Sequence, residues 1–544
     1  MDRGPVSVGP GSAGDGAGAG GGPPSWKLAA PHDAMTQGLV VSGFGTLPTG
    51  RALFLEFGWA GAPQTGGGEW LKALQAIAPI TDADGRDPRS AAIGFTCQGL
   101  RKMGLGANTL ASFDRAFQEG MFQEDRLRRL GDRREGAWLE TVIPGGPKWG
   151  GNTPLDGAAA DDDARAFAED GTDVPEQRIA TPITVHALLL LYEADEATAD
   201  AWCASVSAVL DQHGVRVVHR LPLELRLDAR GIAREHFGFA DGVSQPQPFE
   251  PGVVTISGQD APNDFWNGVP LGEVLMGHRN GHNEVAAGPV VPDTPQGRAA
   301  GLAEHPRGEG FLDLGLDGSY MVVRELKQDV AAFWTSMRDN AARIAEEDPE
   351  KSAHIDQNWI ASRVVGRDLD GNLLCPQGAL PPNQYDQPDN AFGFWDRDRV
   401  GQGCPMGSHV RRGNPRDGLA PTVADKQTLL DASKNHRILR RARKFGPTIA
   451  DPMQDDGVDR GLLFICLNTD ITRQFEFVQQ TWVLNPNFAT LYDETDPLIG
   501  PKGQLTIPET PLRRIVEVET FVQMAGGEYF FLPSMPALRY LEAL

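Results

Sequence analysis

The chain has 544 residues, of which 40% are hydrophobic and 23% charged, so it carries enough apolar material to bury a sizeable core. Lys and Arg number 50 against 73 Asp and Glu, and the resulting net charge of -23 repels phosphate backbones and anionic membranes, which excludes nucleic acid and membrane surfaces as expected partners. We therefore expect a soluble globular protein.

The N-terminal part of the chain predicts a disordered tail followed by alternating strands and helices. Residues 1–30 are rich in Gly, Pro and Ala and cannot repay the entropy of ordering, so we expect structure only from near Gln37. Apolar runs and helical spacing then predict strands at Gly38–Val41, Ala52–Phe57, Ile93–Thr96, Ile183–Tyr192 and Val215–His219, and helices at Glu69–Ile77 and Glu196–Leu210.

A second series of elements begins around His236. It contains a predicted strand at Ser319–Arg324, a helix at about 326–346 and an apolar strand at Gly461–Leu467. Two aperiodic stretches, 144–180 and 284–310, are predicted to be surface insertions. The pattern as a whole predicts an α+β fold with an N-terminal half at 36–230 and a C-terminal half at 235–544.

The cysteines and the N-terminal residues indicate in which cellular compartment the protein is expected. The five cysteines are widely spaced without a Cys-x-x-Cys pair, so buried free thiols are expected rather than disulfides or a zinc site. Residues 1–25 contain no apolar signal core and no twin arginine, and no stretch approaches the roughly 18 apolar residues of a membrane span. We expect a cytoplasmic protein, with leaderless secretion as the alternative.

Asp241 is the first residue that local structure alone does not explain. It lies in GFADGVSQP, residues 238–246, between an apolar residue and a glycine. An Asp-Gly pair by itself most often forms a turn. The functional alternative is a carboxylate held over a cavity.

His409 lies in a second unusual segment, CPMGSHVRRGNPRD, at residues 404–417. One histidine among eleven is seldom a metal ligand without further evidence. Three arginines follow it, however, and they change the interpretation. Imidazole binds iron well, and guanidinium groups pair with carboxylates such as the propionates of a haem.

Two further segments follow. HRILRRARKFG, residues 436–446, is densely basic within an acidic protein, which is typical of a solvated helix face but raises the chance that one arginine points inward. RGLLFICLNTDITRQFEFVQQTW, residues 460–482, reads as an apolar strand that runs into an amphipathic helix, and core packing explains most of it.

The four segments together resemble the dye-decolourising peroxidase family. The G-x-x-D-G motif occurs within HFGFADGVSQP, the histidine motif as PMGSHVRRGNPR, the arginine motif as RILRR, and the next strand and helix as RGLLF and FEFVQQTW, in the order and spacing of the family. DGSYMVVREL and VVGRDLDGNLLCP are weaker echoes. The resemblance covers about residues 36–544.

The resemblance implies a fold and a cofactor. The fold would consist of two ferredoxin-like halves with antiparallel sheets and peripheral helices, of the dimeric α+β barrel type, with one haem b per chain held mainly by the second half. His409 matches the axial ligand of the haem iron, and Arg411 matches a propionate partner. Asp496, or its competitor Asp493, matches the carboxylate that accepts the other N–H of the axial imidazole.

The resemblance also implies an activity, the oxidation of dyes and phenolic compounds by hydrogen peroxide through a ferryl intermediate. Asp241 matches the distal acid-base residue, and Arg440, chosen over Arg437 and Arg441, matches the arginine that stabilises charge during O–O heterolysis. Leu462 and Phe464 match the apolar roof of the distal pocket, although ordinary strand core explains them equally well. Small aromatic reductants and Mn²⁺ are the expected electron donors. The protein itself is expected to be a monomer or a homodimer.

Three alternatives stay open. A haem protein that releases iron, like a deferrochelatase, or a haem carrier without catalysis would have the same fold. His278 and His282, in HRNGHNE, could bind a metal if they were helical, but the Gly and Asn between them favour a loop. DLDGN at 368–372 resembles half a calcium loop but lacks its glutamate, so we expect a turn.

Overall fold

The computed structural model describes residues 25–59, 66–85, 88–152, 178–306, 308 and 310–544. The predicted tail up to residue 24, and most of the predicted insertion at 144–180, lie outside the described residues. Trp26–Leu28 forms a strand that pairs antiparallel with Val254–Ile256. A strand therefore precedes Gln37, where we expected the first structure.

The long strands form the frame of the molecule. They are β1 (Thr49–Phe57), β2 (Ser90–Phe95), β3 (Ala187–Glu193), β4 (Val215–Glu224), β5 (Ser319–Gln328), β6 (Arg443–Phe445), β7 (Gly461–Asn468) and β8 (Val522–Leu532). Shorter strands lie at Arg133–Arg134, Ala137–Trp138, Trp149–Gly150, Ile183–Thr184, Ala233–Arg234, Ala240–Asp241, Gln247–Phe249, Gln259–Asp260, Gly268–Pro270, Val290–Pro292, Ala303–Glu304, Phe311–Asp313, Leu374–Cys375, Gly378–Ala379, Leu439–Arg440, Gly503–Pro508 and Arg513–Val518.

The long strands belong to one 11-stranded sheet. Their order is β5-β7-β6-β4-β1-β3-β2-β8, and β8 also pairs with β5, so the hydrogen-bonded path returns to its start. The four strands from each half of the chain meet at two narrow joins, Lys444 opposite Glu224 and Phe531 opposite Phe95. The α+β class is confirmed, and the sheet closes into a ring.

Apolar side chains fill both faces of this ring. Successive residues of a strand point to opposite faces, and in β1 Phe54 packs inside the ring with side chains from the other long strands, whereas Leu53 and Leu55 pack outward against helices. Burying each such side chain contributes about 1.5–3 kcal/mol. Near-continuous apolar strands are expected where both faces are covered.

Helices cover the outside of the ring. The longer ones are Glu69–Gln75, Glu196–Gln212, Val330–Glu347, Gln357–Val365, Lys426–Lys434 and Met535–Glu542. Short helices lie at His32–Met35, Cys97–Lys102, Ala107–Leu110, Arg115–Glu119, Glu124–Leu130, Pro295–Ala300, Trp395–Asp398 and His409–Gly413, with 3₁₀ turns at Leu271–Glu273 and Val423–Asp425 and π-helical turns at Thr472–Glu476 and Val478–Val483.

Most predicted elements are confirmed, but one is wrong. Gly38–Val41 is a turn closed by the Val41 N–H on the Gly38 carbonyl, because a short buried apolar run does not by itself distinguish a strand from a packed turn. The stretch predicted as a surface insertion at 284–310 holds elements that its lack of periodicity did not reveal. They are the strand Val290–Pro292 and the helix Pro295–Ala300, which Thr294 caps through the N–H of Gly297.

The cysteine prediction is confirmed, because all five cysteines are buried and free. Among the helices that the structure describes, none combines the length and the apolar composition needed to cross a membrane.

Candidate functional site

A cavity of about 410 Å³ lies against the outward face of the C-terminal strands. Arg324, Leu326 and Gln328 line it from β5, and Leu462 and Phe464 line it from β7. Their spacing of two residues places them on one face, opposite the side chains that fill the ring. The volume is typical of a cofactor or ligand site, and the two predicted roof residues both border it.

Asp241 borders the cavity from a loop that faces these strands. It ends the short strand Ala240–Asp241, which pairs with Ala233–Arg234, and the chain turns away at Gly242, whose φ of 77° favours glycine. Its Oδ1 accepts the N–H of Gly242 at 2.6 Å. The two alternatives for Asp241 therefore do not exclude each other: the Asp-Gly pair forms a turn, and the Asp241 carboxylate also borders a cavity.

Arg440 borders the same cavity from the strand Leu439–Arg440, which pairs with β7. The side chain of Gln245, in the Asp241 loop, holds the backbone of Arg440 at both ends: its Oε1 accepts the Arg440 N–H and its Nε2 donates to the Arg440 carbonyl, each at 3.1 Å. Within the described part of the chain, the Arg440 guanidinium has no hydrogen-bond partner. The backbone is thus fixed while the charged group stays available to a ligand.

The two competing arginines are used differently. Arg441 donates from Nε to the Leu39 carbonyl at 2.8 Å and from Nη2 to the Val40 carbonyl at 2.5 Å. Arg437 is not among the residues that border the cavity. The geometry favours Arg440 as the arginine that meets a ligand.

His409 begins the short helix His409–Gly413 and borders the cavity. Its Nδ1 lies 2.9 Å from Oδ2 of Asp496, whose side chain is fully buried. Oδ1 of the same carboxylate accepts the N–H groups of Leu498 and Ile499 at 2.9 and 3.0 Å. Because Nδ1 is held by the carboxylate, Nε2 is the nitrogen left to bind a metal.

Asp496 is the partner of His409, whereas Asp493 is exposed and adopts a positive φ of 60°. Burial raises the pKa of the Asp496 carboxyl, but the charge of His409 and the hydrogen bonds to it outweigh burial and hold this pKa below its usual value. A carboxylate that stays ionised in the interior orients the imidazole and increases its basicity as a metal ligand.

Comparisons with known proteins identify relatives of the chain. No family model matches the chain. The multifunctional dye peroxidase DyP2 of Amycolatopsis sp. is 31% identical over 358 residues, which cover 62% of this chain and 65% of that protein. The dye-decolorizing peroxidase msp1 of Mycetinis scorodonius is 28% identical over 385 residues, covering 65% and 66%. The chain thus spans slightly less than two thirds of the length of these relatives.

The fold similarity extends over nearly the whole chain. The crystal structure of a DyP-type peroxidase of Anabaena sp. superposes with a TM-score of 0.63 at 23% identity and covers 94% of both chains. The chain is therefore similar to dye-decolourising peroxidases in sequence over somewhat less than two thirds of its length, and in fold over nearly all of it. A deferrochelatase of Yersinia pestis is 26% identical over only 206 residues, or 36% of that protein, so the rival within the superfamily is matched more weakly.

Arg411 does not border the cavity. Its Nη1 donates to the carbonyls of Asp398 and Cys404, each at 2.8 Å, and its guanidinium lies 4.5 Å from the ring centroid of Phe394. Position close to His409 in sequence is therefore a poor guide here, since the helix turns Arg411 away from the cavity. This position does not fit the predicted contact between Arg411 and a propionate.

Arg367, which the sequence analysis did not single out, does border the cavity. Its side chain is buried, Nη1 donates to the Gly371 carbonyl at 2.7 Å, and Nη2 has no partner among the described residues. Burial lowers its pKa to about 10, and the charge of Arg440 adds to the effect. Arg367 lies in VVGRDLDGNLLCP, one of the two segments that resemble the family only weakly.

Asp132 is a second carboxylate at the cavity that the sequence did not reveal. It is buried and forms an ion pair with Arg324, while its Oδ2 has no partner within the described residues. Burial raises the pKa of Asp132, whereas Arg324 opposes the rise. Asp132 is therefore another carboxylate that a ligand in the cavity could meet, but it is already paired with Arg324.

Proposed function

We propose that the chain is a haem-dependent peroxidase that uses hydrogen peroxide to oxidise dyes and phenolic compounds. The observation that supports this proposal most directly is the convergence of His409, Asp241 and Arg440 on one cavity. A metal-binding imidazole backed by a buried carboxylate, a proton-transfer carboxylate and an unpaired guanidinium are the groups that peroxide activation requires.

The residues present fit one haem b. His409 Nε2 would bind the iron, and Leu326, Leu462 and Phe464 supply an apolar surface for the macrocycle. The unpartnered Nη2 of Arg367 is a buried cationic donor without an anion, which the carboxylate of a propionate would satisfy. When bound, the haem would supply the redox-active iron at which peroxide is activated.

Asp241 would move the proton. Its carboxylate would accept the proton from the bound peroxide and donate it to the outer oxygen, which then leaves as water. The Gly242 N–H occupies Oδ1, so Oδ2 is the oxygen free to face the ligand.

Arg440 would stabilise the negative charge that develops on the outer oxygen as the O–O bond breaks. A guanidinium whose backbone is clamped by Gln245 needs little reorganisation to do so. Leu462 and Phe464 narrow the space on this side, which favours peroxide over bulky molecules. Larger aromatic reductants, and Mn²⁺ attracted by the acidic surface, would deliver electrons from outside the cavity.

We further propose that the two groups of strands, β1 to β4 and β5 to β8, are the sheets of two ferredoxin-like halves at 36–230 and 235–544. Each group with its helices supplies one side of the closed ring, in the manner of a dimeric α+β barrel. The cavity lies on the C-terminal group.

The function is tested by spectroscopy and turnover of the full chain. We expect a Soret band after haem supplementation and steady oxidation of a phenolic dye when peroxide is added. A haem-loaded protein that leaves the dye unchanged contradicts the peroxidase. Release of iron with recovery of the intact metal-free porphyrin would instead establish the deferrochelatase alternative.

Arg367→Gln is expected to weaken haem affinity roughly 10- to 100-fold, because a charge-assisted hydrogen bond contributes about 1.5–3 kcal/mol. Haem transfer to an acceptor protein, followed at the Soret band, measures the change. Arg399→Gln is the matched control, since this arginine is exposed and not among the residues that border the cavity. Equal affinity in the two variants would contradict the role of Arg367.

Asp496→Asn is expected to lower peroxidase turnover about 10- to 100-fold, as is usual when a carboxylate behind a metal-ligating histidine is neutralised. Asp493→Asn is the control, because Asp493 is exposed three residues away. Steady-state rates and the reduction potential of the bound iron are the measurements, and we expect the potential to rise in Asp496→Asn alone. Similar values in both variants would exclude Asp496.

A further inference from the structure

A second cluster of ligating side chains lies apart from the cavity. His32 Nδ1 lies 2.9 Å from both carboxylate oxygens of Asp317, and His278 Nε2 lies 2.8 Å from Oδ1 of the same residue. The three ligating atoms all lie within 4.8 Å of one another. None of these residues borders the cavity, so the cluster is independent of the proposed peroxidase function.

We propose that His32, His278 and Asp317 form a binding site for a divalent transition metal, with Zn²⁺ as the ion that suits it best. Two imidazoles and one carboxylate are a common donor set for zinc, which binds nitrogen at about 2.0–2.1 Å and carboxylate oxygen at about 2.0–2.2 Å. An ion between the two rings and the carboxylate would replace the hydrogens that now bridge them.

The surroundings of His278 support a built site. Its second ring nitrogen, Nδ1, lies 2.9 Å from Oε2 of Glu250. Both ring nitrogens of His278 are therefore held by carboxylates. A histidine that binds metal through one nitrogen generally donates the other N–H to a carboxylate, which sets the tautomer and the ring orientation. Glu250 would play that role without binding the ion.

Two of the three ligands are buried and the third is partly exposed. Asp317 and His278 have 1% and 6% of their surfaces exposed, whereas the His32 side chain is 23% exposed. The two buried ligands are already desolvated and in contact, so little ordering is needed on binding. Three protein ligands leave a fourth position of a tetrahedral zinc, which a water would fill from the side of His32.

The three ligands come from distant parts of the chain, so a bound ion would cross-link these parts. His32 lies in the helix after the strand Trp26–Leu28, His278 in a loop, and Asp317 two residues before β5. The strand is held by its pairing with Val254–Ile256. A bound ion would fasten the N-terminal segment to the start of β5 and stabilise it against local opening.

The cluster also revises the sequence expectation for this region. The loop predicted between His278 and His282 is confirmed, since no helix covers them, and His282 is exposed with its N–H bonded to Asn280. The pair considered in the sequence is thus not a site, and His278 finds its partners elsewhere. His282 is instead a matched control.

The test is zinc binding to the full-length, haem-loaded protein after dialysis against a chelator. After Zn²⁺ is added back and the excess removed, we expect one zinc per chain by elemental analysis, counted separately from the haem iron, and a single transition in calorimetric titration of the stripped protein with Zn²⁺. His282→Ala should keep the zinc, whereas His32→Ala and Asp317→Asn should lose it. Glu250→Gln should weaken binding roughly 10- to 100-fold.

His32→Ala decides the outcome if the buried variants fail to fold, because His32 is partly exposed in a four-residue helix. A folded His32→Ala protein, judged by its circular dichroism and Soret band, that binds zinc as tightly as His282→Ala overturns the proposal. So does a wild-type protein that binds no zinc, since the cluster would then be only a hydrogen-bonded network.

Discussion

Asp241→Asn is expected to lower kcat/KM for hydrogen peroxide by about 10²- to 10⁴-fold, the usual contribution of general acid-base catalysis. The amide has the size of the carboxylate and its oxygen can still accept the Gly242 N–H, so the loop should keep its conformation. It cannot, however, accept the proton of the peroxide. Rapid mixing of the haem-loaded variant with peroxide measures the rate, with an unchanged Soret band as evidence of an intact site.

Two control variants separate Asp241 from other carboxylates. Asp132→Asn removes one of the two carboxylates that line the cavity beside Asp241, the other being Glu235; Asp132 is paired with Arg324. Asp260→Asn removes an exposed carboxylate that is not among the residues bordering the cavity. We expect Asp241→Asn to be by far the slowest of the three. If a folded Asp132→Asn protein were slower, Asp132 would be the proton-transfer group instead.

The pH profile tests the same assignment without a substitution. A carboxylate base remains ionised in acidic solution, where a histidine base would be protonated and inactive. We therefore expect peroxidase activity to persist in mildly acidic solution, below about pH 6.5, where a histidine base would be protonated. Loss of activity of the folded, haem-loaded protein as the pH falls through about 6.5 would instead indicate a histidine base.

The elements that the sequence predicted best have a hydrophobic pattern long enough to show a period. Gly461–Leu467 and Glu196–Leu210 lie within one or two residues of β7 and the helix Glu196–Gln212. Gly38–Val41 is a turn because a short apolar run fits a buried turn as well as a strand. The ring closure could not be foreseen, since it depends on pairing between strands hundreds of residues apart, β4 with β6 and β2 with β8.

Some residues of the candidate site could be predicted from sequence motifs, and others only from the fold. His409, Asp241 and Arg440 belong to sequence motifs, and the structure brings them to one cavity. Arg367 borders the cavity and Arg411 does not, because the direction of a side chain, not its distance from His409 in sequence, decides which guanidinium reaches the cavity. The choice between Asp493 and Asp496 required the fold too, since only the helix start at His409 determines which carboxylate lies beneath the imidazole.

The RRAR sequence allows a sharp test of direction, because Arg440 and Arg441 are adjacent and chemically identical. The Arg440 guanidinium has no hydrogen-bond partner among the described residues. That of Arg441 donates hydrogen bonds to the carbonyls of Leu39 and Val40. Arg440→Leu should therefore slow the reaction with peroxide about 10²- to 10³-fold, the usual effect of removing one charge-stabilising donor, and should change the thermal stability little.

Arg441→Leu should show the reverse pattern. Losing its guanidinium leaves the buried carbonyls of Leu39 and Val40 without a donor, which costs about 1–3 kcal/mol of folding free energy, while the rate with peroxide should stay within a few-fold of the wild type. Rapid mixing and thermal unfolding of both variants measure the two effects side by side. A slow Arg441→Leu protein beside a fast Arg440→Leu protein would transfer the role to Arg441, because each substitution removes the same charge and only the direction of the side chain differs.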